Sequence, residues 1–302
     1  MSEELMKQGV LVRGFGGFYV AADDAGTEYI LRCKKKFRRM RMSPLVGDEV
    51  RFIPGEGEEH GWLEEILPRR TESLRPPVAN VSLLLVVICP SPEPDLLLVD
   101  RLLVRARMQG MKTAIVVNKC DMGEALADDI RRQYAGADCP VLEVSARQAR
   151  GLDALSAIML GESCCCLTGQ SGVGKSTLLN ALLGLELETG DISEKIQRGK
   201  NTTRHAQLLI RKCPEGDIRV LDTAGFSLLE LDAGMAPEQL RAYYPEFVAY
   251  EGSCRFTPCL HDREPGCQVS AAVARGEINE GRVARYRQLL SDVRESWKQR
   301  YH

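Results

Sequence analysis

The most constraining feature of the chain is a glycine-rich octapeptide near its middle. Residues 169–176 read GQSGVGKS and match the phosphate-binding pattern GxxxxGK[ST]. An apolar run, SCCCLT, precedes the octapeptide, and a helical run, STLLNALLG, continues from it. Glycine lets the backbone curl so that its N–H groups face phosphate oxygens, and the following helix adds its positive N-terminal end. The octapeptide therefore predicts a parallel α/β sheet with a phosphate site at one edge.

The polar groups of this P-loop have predicted roles. Lys175 can reach the β- and γ-phosphates of a nucleotide, and the hydroxyl of Ser176 can ligate Mg²⁺. Lys175 is also the predicted catalytic lysine, because its charge offsets that of the transferred phosphate. A glycine-rich turn without a ligand is the alternative interpretation. The predicted nucleotide-binding residues of the loop are Gly169, Gln170, Ser171, Gly172, Val173, Gly174, Lys175, Ser176 and Thr177.

The composition is that of a globular protein with room for more than one domain. The chain has 302 residues, of which 44% are hydrophobic and 27% are charged. Its longest strongly apolar run, at residues 81–89, is far too short for a membrane-spanning helix, and no signal peptide is visible. The eleven cysteines are expected to be reduced, since disulfide scaffolds belong to short secreted chains. We therefore expect a cytoplasmic protein without membrane contact.

Regions with different patterns follow one another along the chain. Residues 9–68 alternate short strand-like segments with turns and predict a small all-β barrel. Residues 81–225 alternate apolar runs with amphipathic stretches, as in a parallel sheet covered by helices, and helical stretches dominate beyond residue 236. The predicted domains are a barrel at 1–72, an α/β nucleotide-binding domain at 73–235 and a helical domain at 236–302.

A second motif predicts which base is bound. Asn118, Lys119 and Asp121 form NKCD directly after the strand-like run TAIVVN, so they lie at the carboxyl edge of the predicted sheet. An aspartate there can accept hydrogen bonds from N1 and the exocyclic amine of guanine, a donor pair that adenine lacks. Ser145 and Ala146 follow another predicted strand, and a backbone N–H at this point can contact the guanine carbonyl. These motifs predict GTP and GDP as ligands.

Two further segments are expected to face the γ-phosphate and its Mg²⁺. The segment DTAG follows the run DIRVL, and in it Asp222 would hold a Mg²⁺-bound water while the N–H of Gly225 meets the γ-phosphate. The segment GKNTTRH offers a threonine hydroxyl that can close over the metal. We favour Thr203, because in several bacterial GTPases the ligand threonine directly precedes Arg or Lys. Ser176 and Thr203 are thus the predicted magnesium ligands.

A cluster of cysteine and histidine in the last third of the chain predicts a metal site. Cys254, Cys259, His261 and Cys267 supply three thiolates and one imidazole, the ligand set of a closed structural Zn²⁺ site. Their spacing is not the common CxxC pattern, so metal-free thiols are the alternative. A closed site leaves no coordination position for catalysis, and its predicted role is in folding.

The order of the motifs indicates a permuted domain. In ordinary GTPases the P-loop comes first and NKxD follows DxxG, whereas here NKCD and the Ser145-Ala146 pair precede the P-loop. Permutation is tolerable because the termini of a compact domain often lie close together. The chain resembles the circularly permuted, ribosome-small-subunit-dependent GTPases called RsgA. The resemblance rests on PLVGDEV, NKCD, SA, GQSGVGKST, GKNTTRHA, DTAGF, YYPEF and CRFTPCLHDREPGC.

The resemblance implies an α/β fold in which a permuted P-loop GTPase domain lies between an N-terminal OB-fold and a C-terminal helical zinc-binding region. It also implies GTP hydrolysis and a role in late maturation of the small (30S) ribosomal subunit, with the subunit and its rRNA as partners. We expect the protein to be a monomer. Two residues depart from the family pattern. Ala224 replaces a usual proline, which should not remove phosphate contact, and Asn201 stands where histidine is frequent.

The residue that follows DTAG suggests slow intrinsic hydrolysis. Phe226 occupies the position where Ras-type enzymes place the glutamine that orients water, and an apolar ring cannot do this. If a partner reorders residues 191–205, Asn201 or His205 could position the water, and ribosomal subunits would then stimulate the reaction. The alternative is that both are solvated loop residues.

A basic segment in the predicted barrel is a candidate RNA contact. Residues 32–41 combine seven cations with Phe37 and contain no acidic residue. OB-folds commonly bind nucleic acid, and this combination suits phosphate contacts together with stacking of Phe37 on exposed bases. A solvated loop in a domain of mixed charge is the alternative.

Three functions are compatible with these motifs. The first is a GTP-hydrolysing assembly factor of the small ribosomal subunit. The second is a GTP-controlled RNA-binding module whose hydrolysis is incidental, and the third is a P-loop kinase acting on a small molecule. The NKCD motif argues against the kinase. The first two differ in whether the nucleotide changes subunit affinity and whether subunits accelerate hydrolysis.

Overall fold

The structure is a computed structural model that describes residues 6–299 apart from 41, 56–58, 75–76, 124, 185–205 and 223–233. Its strands are β1 (Lys7–Phe15), β2 (Phe18–Ala22), β3 (Glu28–Cys33), β4 (Glu49–Ile53), β5 (Gly61–Ile66), β6 (Glu72–Leu74), β7 (Pro77–Ala79), β8 (Leu83–Ile88), β9 (Lys112–Val117), β10 (Val141–Glu143), β11 (Cys165–Thr168), β12 (Gln207–Cys213) and β13 (Gly216–Asp222). Its α-helices are α1 (Lys35–Arg39), α2 (Leu96–Met108), α3 (Ala125–Gln133), α4 (Leu152–Met159), α5 (Lys175–Leu183), α6 (Gln268–Ala274) and α7 (Glu280–Gln299). Among the described residues, 3₁₀ helices cover Cys120–Met122, Pro237–Tyr243 and Pro245–Tyr250.

The described residues belong to two compact units. The first lies within Met1–Leu84, Ser156–Leu167 and Leu182–Phe226, and the second within Leu85–Leu155, Thr168–Ala181 and Ser227–His302. None of the helices in the described part of the chain is long and apolar enough to cross a membrane.

Five strands of the first unit form a closed barrel. They lie in the order β1, β2, β3, β5, β4, and β4 pairs with β1 to close the sheet. Neighbouring strands are antiparallel except β3 and β5, which run parallel. Alternate residues point inward, and the core contains the fully buried side chains of Leu11, Leu31, Phe52 and Leu63. The predicted barrel is confirmed, with the five-stranded architecture of an OB-fold.

The basic segment at residues 32–41 differs from its prediction. Its first residues end β3, and Lys35–Arg39 form the short helix α1. The side chain of Phe37 is only 3% exposed and packs in the barrel core. The expectation that Phe37 stacks on RNA bases is therefore wrong, because the one apolar side chain of this helix faces inward. Lys34 and Lys36 both form ion pairs with Glu64.

The first unit also contains strands from the predicted α/β region. Strand β12 pairs with β1 at Arg13 and Gln207, and with β13 along its whole length. Strand β13 runs parallel to β11, with Cys165 opposite Val220. The cysteine run at 164–166 is buried, and burial raises the pKa of Cys164 well above its usual value. Cys165 and Cys166 thus pack within β11, and Cys164 packs directly before it.

In the second unit, β10, β9 and β8 lie side by side in that order, and β10 and β9 are parallel. Asp95 caps the N-terminus of helix α2, and its carboxylate accepts a hydrogen bond from the N–H of Leu98 at 2.9 Å. The helices predicted between these strands are present. Beyond residue 236, where helical stretches are predicted, Pro237–Tyr243 form a 3₁₀ helix and Gln268–Ala274 form α6.

A buried network of charges links α2 to the C-terminal helix α7. Asp100 of α2 and Arg282 of α7 are 0% and 1% exposed, and their side chains lie 2.6 Å apart. Arg285 also contacts Asp100, at 2.7 Å, and Arg282 contacts Glu246, at 2.7 Å. The hydroxyl of Tyr134 donates to Asp100. Two cations thus face two anions, so the network is neutral although it is excluded from water.

Replacing Phe37 by Ala should destabilise the barrel by about 3–5 kcal/mol, because deleting a buried ring removes contacts and leaves a cavity. Lys35→Ala in the same helix is the control, and it should change stability by less than about 0.5 kcal/mol because Lys35 is exposed. Denaturant unfolding followed by Trp62 emission measures the barrel when Trp297, the other tryptophan, is replaced by Phe. Equal midpoints for the two variants would place Phe37 outside the core.

Candidate nucleotide site and metal centre

The P-loop joins β11 to α5 and contains two glycine positions that have no room for a side chain. Gly169 has φ 136°, and a Cβ atom there would lie 2.1 Å from the carbonyl oxygen of Val87. Gly174 has φ 90°, and its Cβ would lie 2.5 Å from Nδ2 of Asn118. Real Cβ atoms do not approach so closely, so only glycine fits either position. The backbone of the loop therefore packs directly against Val87 and Asn118, and the N-terminus of α5 follows the loop.

The NKCD segment holds the P-loop from one side. Asn118 is buried, and its amide donates to the carbonyl of Val173 at 2.9 Å and accepts from the N–H of Ala146 at 3.2 Å. Lys119 has a left-handed backbone, with φ 59°. Its ammonium donates to the carbonyls of Gly172 at 2.8 Å and Ser91 at 2.7 Å. The predicted residues Asn118, Val173 and Ala146 therefore meet at one place.

The carboxylate of Asp121 is exposed and already oriented. The hydroxyl of Ser145 donates to Oδ1 of Asp121 at 2.5 Å, and this bond holds the pKa of Asp121 below its usual value. Ser145 itself is fully buried and its oxygen accepts from the N–H of Gln148. The sequence pattern predicts only a backbone role for Ser145, because the contact of its hydroxyl with Asp121 depends on the fold. The result is an ionised carboxylate with acceptor capacity directed outward.

The cationic and hydroxyl groups of the loop lie where α5 begins. The ammonium of Lys175 donates to the carbonyls of Gly169 at 2.8 Å and Gln170 at 2.7 Å, and burial lowers its pKa. Ser176 is exposed in the first turn of the helix, and Thr177 is half-buried beside it. A desolvated ammonium beside helix N–H groups favours an anion, so this end of α5 suits phosphate.

The side chain of Gln170 contacts residues 93–95, which carry no recognisable motif. Its oxygen accepts from the N–H of Asp95 at 2.9 Å, and its nitrogen donates to the carbonyl of Glu93 at 3.3 Å. Asp95 caps the N-terminus of α2. Gln170 therefore ties the P-loop to the start of that helix.

The remaining predicted residues belong to the first unit or are not described by the structure. Asp222 ends β13 in the first unit, opposite Gln207, and burial raises the pKa of its carboxyl group. Gly225 and Phe226 lie outside the described residues, as do Asn201, Thr203 and His205. Their predicted roles in hydrolysis and magnesium binding stay predictions.

The four predicted metal ligands converge in the second unit. The group comprises Cys254, Cys259, His261 and Cys267, and its four ligand atoms lie within 4.8 Å of one another. Nδ1 of His261 lies 3.4 Å from the sulfur of Cys267 and 3.7 Å from that of Cys254. In a tetrahedron with metal–sulfur bonds of about 2.3 Å, ligand atoms lie roughly 3.8 Å apart. The spacing therefore fits one tetrahedral ion.

The electrostatics of this group also favour a cation. Burial, together with the neighbouring thiols, raises the pKa of Cys259 to about 12, and burial lowers the pKa of His261. Nδ1 of His261 faces the sulfurs of Cys254 and Cys267, and the buried Nε2 has no hydrogen-bond partner among the described residues. The backbone N–H of Gln268 donates a hydrogen bond to the sulfur of Cys254 at 3.3 Å. Side chains that bind metals often have such an additional hydrogen-bond partner. The group can hold a metal ion.

Comparison with known proteins places these features in a family. The RsgA N-terminal domain model matches residues 8–63, and the RsgA GTPase model matches residues 66–232. The small ribosomal subunit biogenesis GTPase RsgA of Ruminiclostridium cellulolyticum is 41% identical over 295 residues, which covers 96% of this chain and 95% of that protein. The protein of the same name from Halalkalibacterium halodurans is 39% identical over 98% of this chain and 100% of its own length.

Solved structures show the same architecture. YjeQ from Thermotoga maritima superposes with a TM-score of 0.81 at 32% identity, covering 96% of this chain and 99% of that one. YloQ, described as a circularly permuted GTPase, gives a TM-score of 0.75 at 27% identity, with 96% of each chain covered. The predicted permutation is therefore confirmed. The GTPase family model matches more than half of this chain, and the relatives match nearly all of it. The chain therefore belongs to the RsgA GTPase family.

Proposed function

We propose that this GTPase binds the small ribosomal subunit and assists its late maturation, with hydrolysis stimulated by the subunit. The observation that carries the proposal is the extent of the likeness to the R. cellulolyticum protein, which covers 96% of the chain. It includes the barrel and the C-terminal region as well as the nucleotide segment. A likeness confined to the nucleotide segment would support GTP hydrolysis alone.

The proposed binding of GTP and GDP uses the geometry of the P-loop and the NKCD segment. The N–H groups of residues 169–174 and the start of α5 would hold the phosphates. Lys175 would exchange its two carbonyl partners for phosphate oxygens, which bind an ammonium more strongly because they are charged. Asp121 would accept from guanine through the acceptor capacity that Ser145 leaves free. Adenine offers a single donor in place of this pair, so guanine is favoured.

The groups proposed for magnesium are those that would face the γ-phosphate of a bound nucleotide. The exposed hydroxyl of Ser176 suits a metal ligand, with Thr203 as the second. Asp222 would hold a metal-bound water, and the N–H of Gly225 would meet the γ-phosphate. A nearby cation would offset the burial that raises the pKa of Asp222. Bound Mg²⁺ supplies neutralisation of phosphate charge during transfer.

Slow hydrolysis without a partner is the proposed resting behaviour. Phe226 follows DTAG in the sequence, and a phenyl ring cannot orient water. Transfer of the phosphoryl group to water needs a water molecule in line with the γ-phosphate as well as neutralisation of the phosphate charge. A site that neutralises the charge but does not position the water is incomplete. We assign the positioning of water to Asn201 or His205 once the subunit is bound.

We assign zinc to the group formed by Cys254, Cys259, His261 and Cys267. Three thiolates and one imidazole are a soft, tetrahedral donor set that selects Zn²⁺ over Mg²⁺ or Ca²⁺. All four positions are taken by protein, so bound zinc supplies folding energy and no catalysis. The ring of Phe247 packs edge-on against His261, with centroids 5.4 Å apart, and shields that side of the ligand.

The remaining parts of the proposal concern partners and location. We propose that the protein acts as a monomer in the cytoplasm, where bacterial ribosomal subunits are assembled, and that the barrel at 1–72 contacts rRNA. The nucleotide-binding domain at 73–235 and the zinc-binding helical domain at 236–302 complete the proposed division.

Small ribosomal subunits should raise the multiple-turnover rate of GTP hydrolysis by at least about tenfold. A single side chain that positions the attacking water can accelerate a reaction by at least this factor. Large subunits at the same concentration are the control. Sedimentation with small subunits in GDP and in a non-hydrolysable GTP analogue tests binding in parallel, and the analogue should increase co-sedimentation. Equal rates with and without small subunits, or equal binding in both nucleotides, would contradict the proposal.

Replacing Asp121 by Asn should lower GDP affinity by on the order of 100-fold, because a charged acceptor of two hydrogen bonds is lost. The same variant should bind xanthosine diphosphate more tightly than the native protein does, since the asparagine amide can donate to the extra carbonyl of xanthine. Titration calorimetry with both nucleotides measures the exchange. Asp128→Asn, which alters an exposed carboxylate on α3, should change neither affinity. Unchanged GDP binding in Asp121→Asn would remove Asp121 from the site.

The purified protein should contain about one zinc ion per chain, measured by elemental analysis. Cys267→Ser should lose the metal and expose residues 254–267 to proteolysis, because zinc binding contributes directly to folding. Cys213→Ser, which alters a half-buried thiol outside the group, is the matched control and should retain zinc. Full zinc content in Cys267→Ser would show that these residues do not bind it.

A further inference from the structure

An ordered row of side chains crosses one outer face of the barrel. Phe15 and Phe18 are direct partners across β1 and β2, Phe18 faces Arg32 across β2 and β3, and Arg32 faces Trp62 across β3 and β5. Directly paired residues project from the same face of a sheet, and neighbouring strands lie about 4.8 Å apart. The four side chains therefore form one continuous line, which we call the aromatic row.

The aromatic row is open to solvent. Phe15 and Trp62 are each 46% exposed, whereas their strand neighbours Leu31 and Leu63 are 0% exposed in the core. Inward positions of the barrel are thus filled by aliphatic residues, and large aromatic rings occupy outward ones. Exposed aromatic side chains in a cluster, unlike scattered ones, mark a binding surface.

The rings and the guanidinium of the aromatic row lie in contact with one another. The ring centroids of Phe15 and Phe18 are 6.1 Å apart with an interplanar angle of 26°. The guanidinium of Arg32 lies over the Phe18 ring at 4.7 Å, and the ring of His60 meets Phe18 edge-on at 4.7 Å. The surface therefore offers flat, stacked groups with a positive charge among them.

The turn between β1 and β2 holds the first two rings in place. Gly16 and Gly17 have φ values of 55° and 85°, as a two-residue hairpin turn of type I′ requires. This turn makes Phe15 and Phe18 direct partners, and a longer loop would allow their register to slip. The rings are thus positioned before any ligand arrives.

We propose that the aromatic row binds unpaired RNA bases by stacking, with the nearby cations contacting the phosphates. The choice of RNA over DNA rests on the proposed function, since the RNA of the small subunit is the partner inferred above. Bases stack on aromatic rings and on guanidinium planes whatever their sequence, so this surface would recognise single-stranded character. It takes the role that Phe37, being buried, does not have.

Charge supports RNA as the occupant. Helix α1 follows Arg32 by two residues, and its Lys36, together with Lys34, pairs with Glu64, two positions along β5 from Trp62. This places the basic helix beside the aromatic row. Among the described residues, the exposed Lys35 and Arg39 have no ion-pair partner, so they remain available to phosphates. The row also runs from the β1–β2 turn to the start of β5, within the part of an OB-fold that binds oligonucleotides.

The test uses the full chain carrying Trp297→Phe, in which Trp62 is the sole tryptophan. A single-stranded RNA of ten nucleotides should quench Trp62 emission, because stacked bases quench indole. Heparin, a polyanion without bases, and a duplex of the same RNA should bind without comparable quenching. Anisotropy of the labelled RNA gives affinities for variants, and stacking on one ring predicts a loss of about fivefold or more for Trp62→Ala and for Phe18→Ala.

Two further variants separate stacking from other causes. Trp62→Phe keeps an aromatic ring and should retain most of the affinity, and Val248→Ala removes an exposed apolar side chain from the second unit and should have no effect. Thermal melting verifies that each variant is folded. Unchanged Trp62 emission at saturating RNA, or equal affinity of Trp62→Ala and the parent, would overturn the proposal. Emission that shifts with protein concentration alone would overturn it as well, because a second copy would then cover the row.

The outcome is separable from that of the proposed function. If the parent chain sediments with small subunits and Trp62→Ala and Phe18→Ala sediment equally well, the proposed function stands and the aromatic row is rejected. If RNA quenches Trp62 but the parent chain does not sediment with subunits, the aromatic row stands and the proposed function fails.

Discussion

The P-loop lies so close to two neighbouring segments that two of its positions have no space for a side chain. Gly169 packs against the backbone of Val87, and Gly174 packs against the amide of Asn118. The same amide donates to Val173, so one side chain both limits and holds the loop. The shape of the nucleotide site thus depends on contacts between segments, whatever their order along the chain. A permutation that preserves those contacts preserves the site, which is how NKCD can precede the P-loop in this family.

The C-terminal helix is fixed to the nucleotide-binding elements of the second unit by charge. Asp100 on α2 receives Arg282 and Arg285 from α7, and Glu246 balances the second cation. Removing one member of such a buried group leaves an unpaired charge, at a cost of about 3–5 kcal/mol. Apolar packing alone would permit small shifts of α7, whereas paired charges define one position. The network therefore contributes specificity of packing more than net stability.

The sequence predicted those parts of the structure whose determinants are close together in the chain. The P-loop, NKCD and the cysteine cluster are local motifs, and the barrel follows from a short alternating pattern. Phe37 was misassigned because a five-residue helix is too short to show periodicity, and its one inward position is hidden among cations. The contact between Asp100 and Arg285 joins residues 185 positions apart, so nothing local specifies the partner. The aromatic row was missed for the same reason, since its register is a property of three strand pairs.

Helix α2 connects the two features on which the second unit depends. At its N-terminus, Asp95 and Glu93 contact Gln170 of the P-loop, and one and a half turns later Asp100 contacts Arg282. Five residues of helix span about 7.5 Å, and a hydrogen-bonded helix does not stretch over that length. A displacement of α7 that carries Asp100 with it must therefore move the cap of α2 and the side chain of Gln170. The charge network and the phosphate loop share one rigid element, so the position of the C-terminal helix and the geometry of the nucleotide site are not independent.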